Sequence, residues 1–233
     1  MLNSRSATAI ITFGSPMSNH FLSARRTRWP ALVSALAVCG LYFSLPEHLT
    51  YGPRWLMAAV TVALMIPTTI FHRKGHAELN QIFAYAGLAA ITMGLISSLT
   101  LLVMRLPLHK DPPVELLRAA SALWVANILV FASWYWRLDG GGPNARDQQS
   151  AHQDGAFLFP QMVMDAELKK QMGEDNWNPG FVDYVFLAFN TSTAFSPTDV
   201  PVLTRWAKVL MMVQSMISLT TVALLAARAV NIL

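Results

Sequence analysis

The chain has 233 residues, of which 54% are hydrophobic and only 13% charged, about half the charged fraction of an ordinary soluble domain. Basic residues outnumber acidic ones, 17 to 13, but Lys and Arg are scattered along the edges of apolar runs, which argues for topology signals and against a nucleic-acid-binding stripe. Cys39 is the single cysteine, which excludes an intrachain disulfide and a cysteine-based metal site within one chain.

Residues 1–30 form a basic segment carrying Arg5, Arg25, Arg26 and Arg28. Its opening stretch, MLNSRSATAIITFGSP, has a short apolar run and no small-residue cleavage site, so it is not read as a signal peptide. Residues 31–114 hold three apolar segments, at 31–45, 54–71 and 82–104, each near the roughly 20 residues with which a helix crosses hydrocarbon. The first is the shortest and lies between Pro30 and Pro46. Between the second and third, His72 and His76 stand four apart, a spacing that can place two imidazoles on one helix face. Gly75 and two cations intervene without a nearby third ligand, so a hydrophilic turn and no metal are expected.

A fourth helix is expected over 115–137, with Asn127 as its polar residue at membrane depth. It closes in WYWRL, whose Trp134, Tyr135 and Trp136 read as an interfacial belt with Arg137 reaching water. Gly140, Gly141, Gly142 and Pro143 end it and open a polar loop over 138–180. Within that loop DAELKKQMGE suits a short surface helix, with Asp165 near its start and Lys169 and Lys170 toward its end. FLFP, 157–160, is either an interfacial contact or an anchor of the loop.

FVDYVFLAFNTSTAF, residues 181–195, is helix-compatible but at ~22 Å falls short of a crossing. Ser196, Pro197, Thr198 and Asp199 cannot continue a lipid-exposed helix, so 181–203 reads as a half-helix and turn. The last helix is expected over 204–232, its apolar heart at 207–227. There Gln214, Ser218 and Thr221 recur at spacings of four and three and share one face. Such a face either joins helices by hydrogen bonds or lines a polar cavity. Asp183 and Asp199 are the ionisable candidates of this region.

With the N-terminus inside, ten basic residues (Arg5, Arg25, Arg26, Arg28, Arg73, Lys74, Arg137, Arg146, Lys169, Lys170) face the cytoplasm across the first four helices, and four (Arg54, Arg105, Lys110, Arg118) face away. The expected fold is all-α: a polytopic helical membrane protein with about five transmembrane helices plus a re-entrant half-helix. No nucleotide-binding glycine loop, serine nucleophile elbow or HExxH motif is present, so no enzyme, catalytic residue or cofactor is expected.

Residues 115–233 resemble the pore module of potassium-type channels. The resemblance rests on a short helix ending in Asn190, Thr191, Ser192 and Thr193, the triplet Ala194, Phe195 and Ser196, the acid Asp199, then Pro201 and a long apolar helix. It implies a homo-oligomer in the lipid bilayer whose filter-like segment is Thr191 to Ser196, with Asp199 forming a charged ring facing inorganic cations. The motif is degenerate. Ala194 and Ser196 stand where potassium filters use glycine, with Pro197 and Thr198 inserted before the acid, so a weakly selective ion or small-solute pore is implied and not a potassium filter. The whole chain, through its WYWRLDGGGP and AFSPTD blocks, is also similar to a family of uncharacterised bacterial integral membrane proteins, which implies the bacterial inner membrane. The alternatives are a nonconducting structural or accessory membrane protein, in which AFSPTD is a helix-capping turn, and then an ion-coupled transporter.

Overall fold

The computed structural model describes residues 29–50, 52–53, 55–73, 77–105, 112–148, 155–174, 177–195 and 199–230. Among them the regular elements are helical: α1 (Trp29–Phe43), α2 (Trp55–Arg73), α3 (Ala77–Arg105), α4 (Pro113–Leu138), α5 (Pro143–Gln148), α6 (Pro160–Val163), α7 (Ala166–Gln171), α8 (Phe181–Thr193) and α9 (Arg205–Val230). Three stretches, Glu78–Arg105, Pro113–Gly141 and Arg205–Ala227, are long and apolar enough to cross a membrane. Ser34–Phe43 and Trp55–Phe71 are shorter apolar helices. Residues 74–76, where a hydrophilic turn is expected, and Ser196, Pro197 and Thr198 lie outside the described residues.

The fold is built around α4. Pro113 opens it at a position where a missing N–H costs nothing, and Glu115 in the first turn and Arg137 in the last suit the helix dipole. Its apolar span is 67% buried, against 33% for that of α3 and 28% for that of α9. Five small residues on it, Ala119, Ala120, Ala122, Ala126 and Ala132, are buried, which lets neighbouring helices approach closely. On α4 pack α1, α3, α8 and α9, while α2 packs chiefly on α3. At that second contact a Cβ added to Gly94 would sit 2.8 Å from Cε of Met57.

The outer faces of α3 and α9 remain apolar. Met93 and Met104 on α3, and Val209, Met212, Met216 and Leu219 on α9, are exposed. Water penalises such a surface and lipid does not, so the pattern of exposure agrees with the apolar composition.

α4 ends where three consecutive glycines take positive φ, 55°, 75° and 88° at Gly140, Gly141 and Gly142. The last has no room for a side chain: a Cβ there would lie 2.7 Å from the carbonyl oxygen of Arg137. The loop that follows folds back on the bundle. Ala156, Phe157 and Phe159 are buried, so the FLFP run anchors the loop inside the protein. Phe157 and Val202 form an isolated antiparallel bridge, with Leu158 N–H donating to Pro201 O at 3.0 Å and Leu203 N–H to Ala156 O at 2.8 Å. The expected surface helix is α7, with Asp165 at its N-cap and Lys169 and Lys170 in its last turn.

The WYWRL aromatics differ from the expected outward belt. Tyr135 and Trp136 are buried, and the half-buried Trp134 donates its indole N–H to Thr92 Oγ1 at 2.9 Å and stacks on Tyr85. The cause is α4's central position: neighbouring helices occupy the sides on which a peripheral helix would meet headgroups.

Candidate functional site: the polar seam of α4, α8 and α9

Gln214 is fully buried in the middle of α9 and is the centre of the seam. Its amide nitrogen donates to Ala188 O at 2.7 Å and to Ser192 Oγ at 2.8 Å, both on α8. Its amide oxygen accepts from Tyr135 OH on α4. Its backbone oxygen accepts from Asn127 Nδ2 at 3.3 Å. One residue therefore links three helices, and each polar atom of its side chain has a partner, as burial requires.

One turn along α9, Ser218 repeats the arrangement. Its hydroxyl donates to Ser192 O at 2.6 Å and accepts from the indole N–H of Trp124 at 3.1 Å. Thr221 completes the buried face but turns its hydroxyl onto Ile217 O of its own helix. Asn127 Oδ1 is buried without a hydrogen-bond partner.

The residues around 191–199 singled out in the sequence divide between two environments. Thr191 and Ser192 are buried, Thr191 bonding Leu187 O at 2.8 Å. Thr193, Ala194 and Phe195 are exposed at the end of α8, and Asp199 is exposed beyond it. Thr193 directs its hydroxyl proton back to Phe189 O at 2.9 Å. Phe195 has φ of 52°, a left-handed conformation rare for a bulky side chain. Ser196 lies outside the described residues. Asp183, in the first turn of α8, accepts the Gly180 N–H at 2.7 Å and so caps the helix.

A second buried cluster lies at the loop end of α4. The carboxylate of Asp139, fully buried, accepts from Tyr184 OH at 2.6 Å and from the Ala156 N–H. The guanidinium of buried Arg146 donates to the Asp139 carbonyl and lies over the rings of Tyr184 (5.3 Å) and Trp136 (6.0 Å). Phe157 sits among Tyr135, Tyr184 and Trp206. This cluster ties the end of α4, the returning loop, α8 and the start of α9 into one unit.

Sequence reasoning found Gln214, Ser218 and Thr221 but missed Trp124, Tyr135, Asp139, Arg146 and Tyr184. For the first two a signal existed: Trp124, Asn127, Phe131 and Tyr135 recur at spacings of three and four on one face of α4. For Asp139 and Arg146 there was little, since charges beside a glycine-rich break read as solvated.

An open groove of about 610 Å³ lies beside the exposed end of α8, lined by Phe195 and by Lys208, Met212 and Met216 of α9 among others. A smaller cavity of about 80 Å³ lies among α1, α2, α3 and α4, lined in part by Ser34, Thr61, Thr68 and Ser133. Among the described residues no three His, Cys, Asp or Glu side chains gather in a metal-binding group. No family model, curated protein or solved structure matches the chain.

Proposed function

We propose that the chain is a multi-pass protein of the bacterial inner membrane, with α1, α2, α3, α4 and α9 crossing the bilayer and α8 re-entering it. In this reading α4, α8 and α9 form a channel-like unit that works as a homo-oligomer, a weakly selective pore for an inorganic cation or small solute. The observation that carries it is the seating of α8. At 13 residues, about 20 Å, it is too short to cross, yet it packs on two helices long enough to do so and leaves Thr193, Ala194 and Phe195 exposed at its end. Such a break suits protein or a watery path, not lipid.

With Thr191 and Ser192 buried, the proposed lining among the described residues is Thr193, Ala194, Phe195 and Asp199. Thr193 is suited to it: its proton is engaged by the helix, and its free lone pairs are what a cation takes. Planar-bilayer conductance of the purified protein under asymmetric KCl, with Asp199→Asn alongside, tests the proposal. The expected result is a current whose cation preference falls in the variant. Reproducible silence from folded, inserted protein overturns it.

A second reading, a nonconducting structural protein, is favoured by the seam itself. Thr191, Ser192, Gln214 and Ser218 all direct their hydrogen bonds within the chain, which is the behaviour of helix-joining residues. Silence in the bilayer together with a monomer in native lipid would select this reading.

A further inference from the structure

We propose that the groove beside the end of α8 holds an anionic phospholipid, with its headgroup on Lys208 and an acyl chain along Met211, Met212, Ser215 and Met216. The inference rests on the chain being in a membrane and not on its conducting. Among the described residues lining the groove Lys208 is the charged one, and none of them is an acid. It sits in the first turn of α9, where the helix leaves the loop, and Met216 lies eight residues further on, about 12 Å along the axis. The groove is thus cationic at its loop end and apolar below, the polarity of a phospholipid entering from that side.

Two further features fit that occupant. Met212 and Met216 are 58% and 70% exposed, and with Met211 they make a wall of flexible thioethers that can follow a mobile acyl chain. Arg205, also exposed, precedes Lys208 by three residues and so lies on the same side of α9, adding a second cation at headgroup level. Of the anionic molecules with a long apolar part, the surrounding bilayer supplies phospholipid at the highest concentration.

The test is native mass spectrometry of the full chain released from detergent, after equilibration with equal amounts of phosphatidylglycerol and phosphatidylcholine of identical acyl chains. The expected result is preferential retention of phosphatidylglycerol, reduced about fivefold in Lys208→Gln and unchanged in Lys169→Gln, a cation on α7. Ser215→Trp, which fills the groove, lowers retention of both lipids. Equal retention by the unaltered chain, or a preference that survives Lys208→Gln, overturns the site. An equal loss in Lys169→Gln assigns the preference to overall charge and also overturns it. Extraction of the protein from membranes by alkaline carbonate, measured in parallel, would instead overturn the membrane reading.

Discussion

Gln214 of α9 holds Ser192 of α8 by a 2.8 Å hydrogen bond from its amide nitrogen, and the same nitrogen reaches the Ala188 carbonyl one turn earlier at 2.7 Å. The bond fixes the register of the 13-residue α8 against the 26-residue α9. Replacing Gln214 with Leu leaves Tyr135 OH, Ser192 Oγ and Ala188 O buried without this partner, at a cost of about 1–3 kcal/mol. Thermal unfolding in detergent should show a lowered midpoint. Adding Tyr135→Phe to Gln214→Leu should cost less than the two separate losses combined, because the single variant has already orphaned the phenol; strictly additive losses would show that the phenol and amide do not cooperate.

Asp139→Ala should destabilise the chain more than Tyr184→Phe. The first removes the carboxylate that accepts from two buried donors, the Ala156 N–H and the Tyr184 hydroxyl, at about 1–3 kcal/mol for each donor left without its partner. The second removes a single donor, about 1–2 kcal/mol. Limited trypsin digestion gives a local readout: cleavage at Lys169 and Lys170 should accelerate in Asp139→Ala because the returning loop loses its tie to α4. Equal cleavage rates would detach the cluster from the loop's order.

Phe195 occupies left-handed backbone with φ of 52°. Phe195→Asn and Phe195→Val both remove the ring, but Asn tolerates this conformation and a β-branched residue does not. The Asn variant should therefore be the more stable by about 1 kcal/mol. A higher unfolding midpoint for Val would show that the turn relaxes to negative φ.

Gly142→Ala combines an unfavourable φ of 88° with a Cβ placed 2.7 Å from Arg137 O. The end of α4 must shift to admit it. A loss of more than about 1 kcal/mol is expected, measured as a lowered midpoint, whereas Gly173→Ala, with positive φ but open space around it, should lose less.

The helices were legible because lipid-length apolar runs and proline or glycine breaks are local properties. That the helix beginning at Phe181 is short was legible from the length of its apolar run, and the shared face of Gln214, Ser218 and Thr221 from their spacing. Burial was harder to read. WYWRL has the composition of an interfacial belt, and only the packing of four helices around α4 turns Tyr135 and Trp136 inward. Asp139 was passed over for a related reason: an acid beside three glycines is solvated unless a distant segment covers it, and here Tyr184 and Ala156, 45 and 17 residues away, supply that cover. Which hydroxyls of the 191–193 run face inward depended on the rotation of α8, which its weak polar pattern does not set.

The position of Gln214 also bears on how the chain is made. A carboxamide at the centre of α9 is costly for a lone helix in hydrocarbon, yet its partners Tyr135, Ala188 and Ser192 all precede it in the sequence. During synthesis α4 and α8 are translated first, so α9 emerges to find its acceptors and donor already made. A transcript cut short before α9 would leave the Ala188 carbonyl and the Ser192 hydroxyl of α8 lacking their amide.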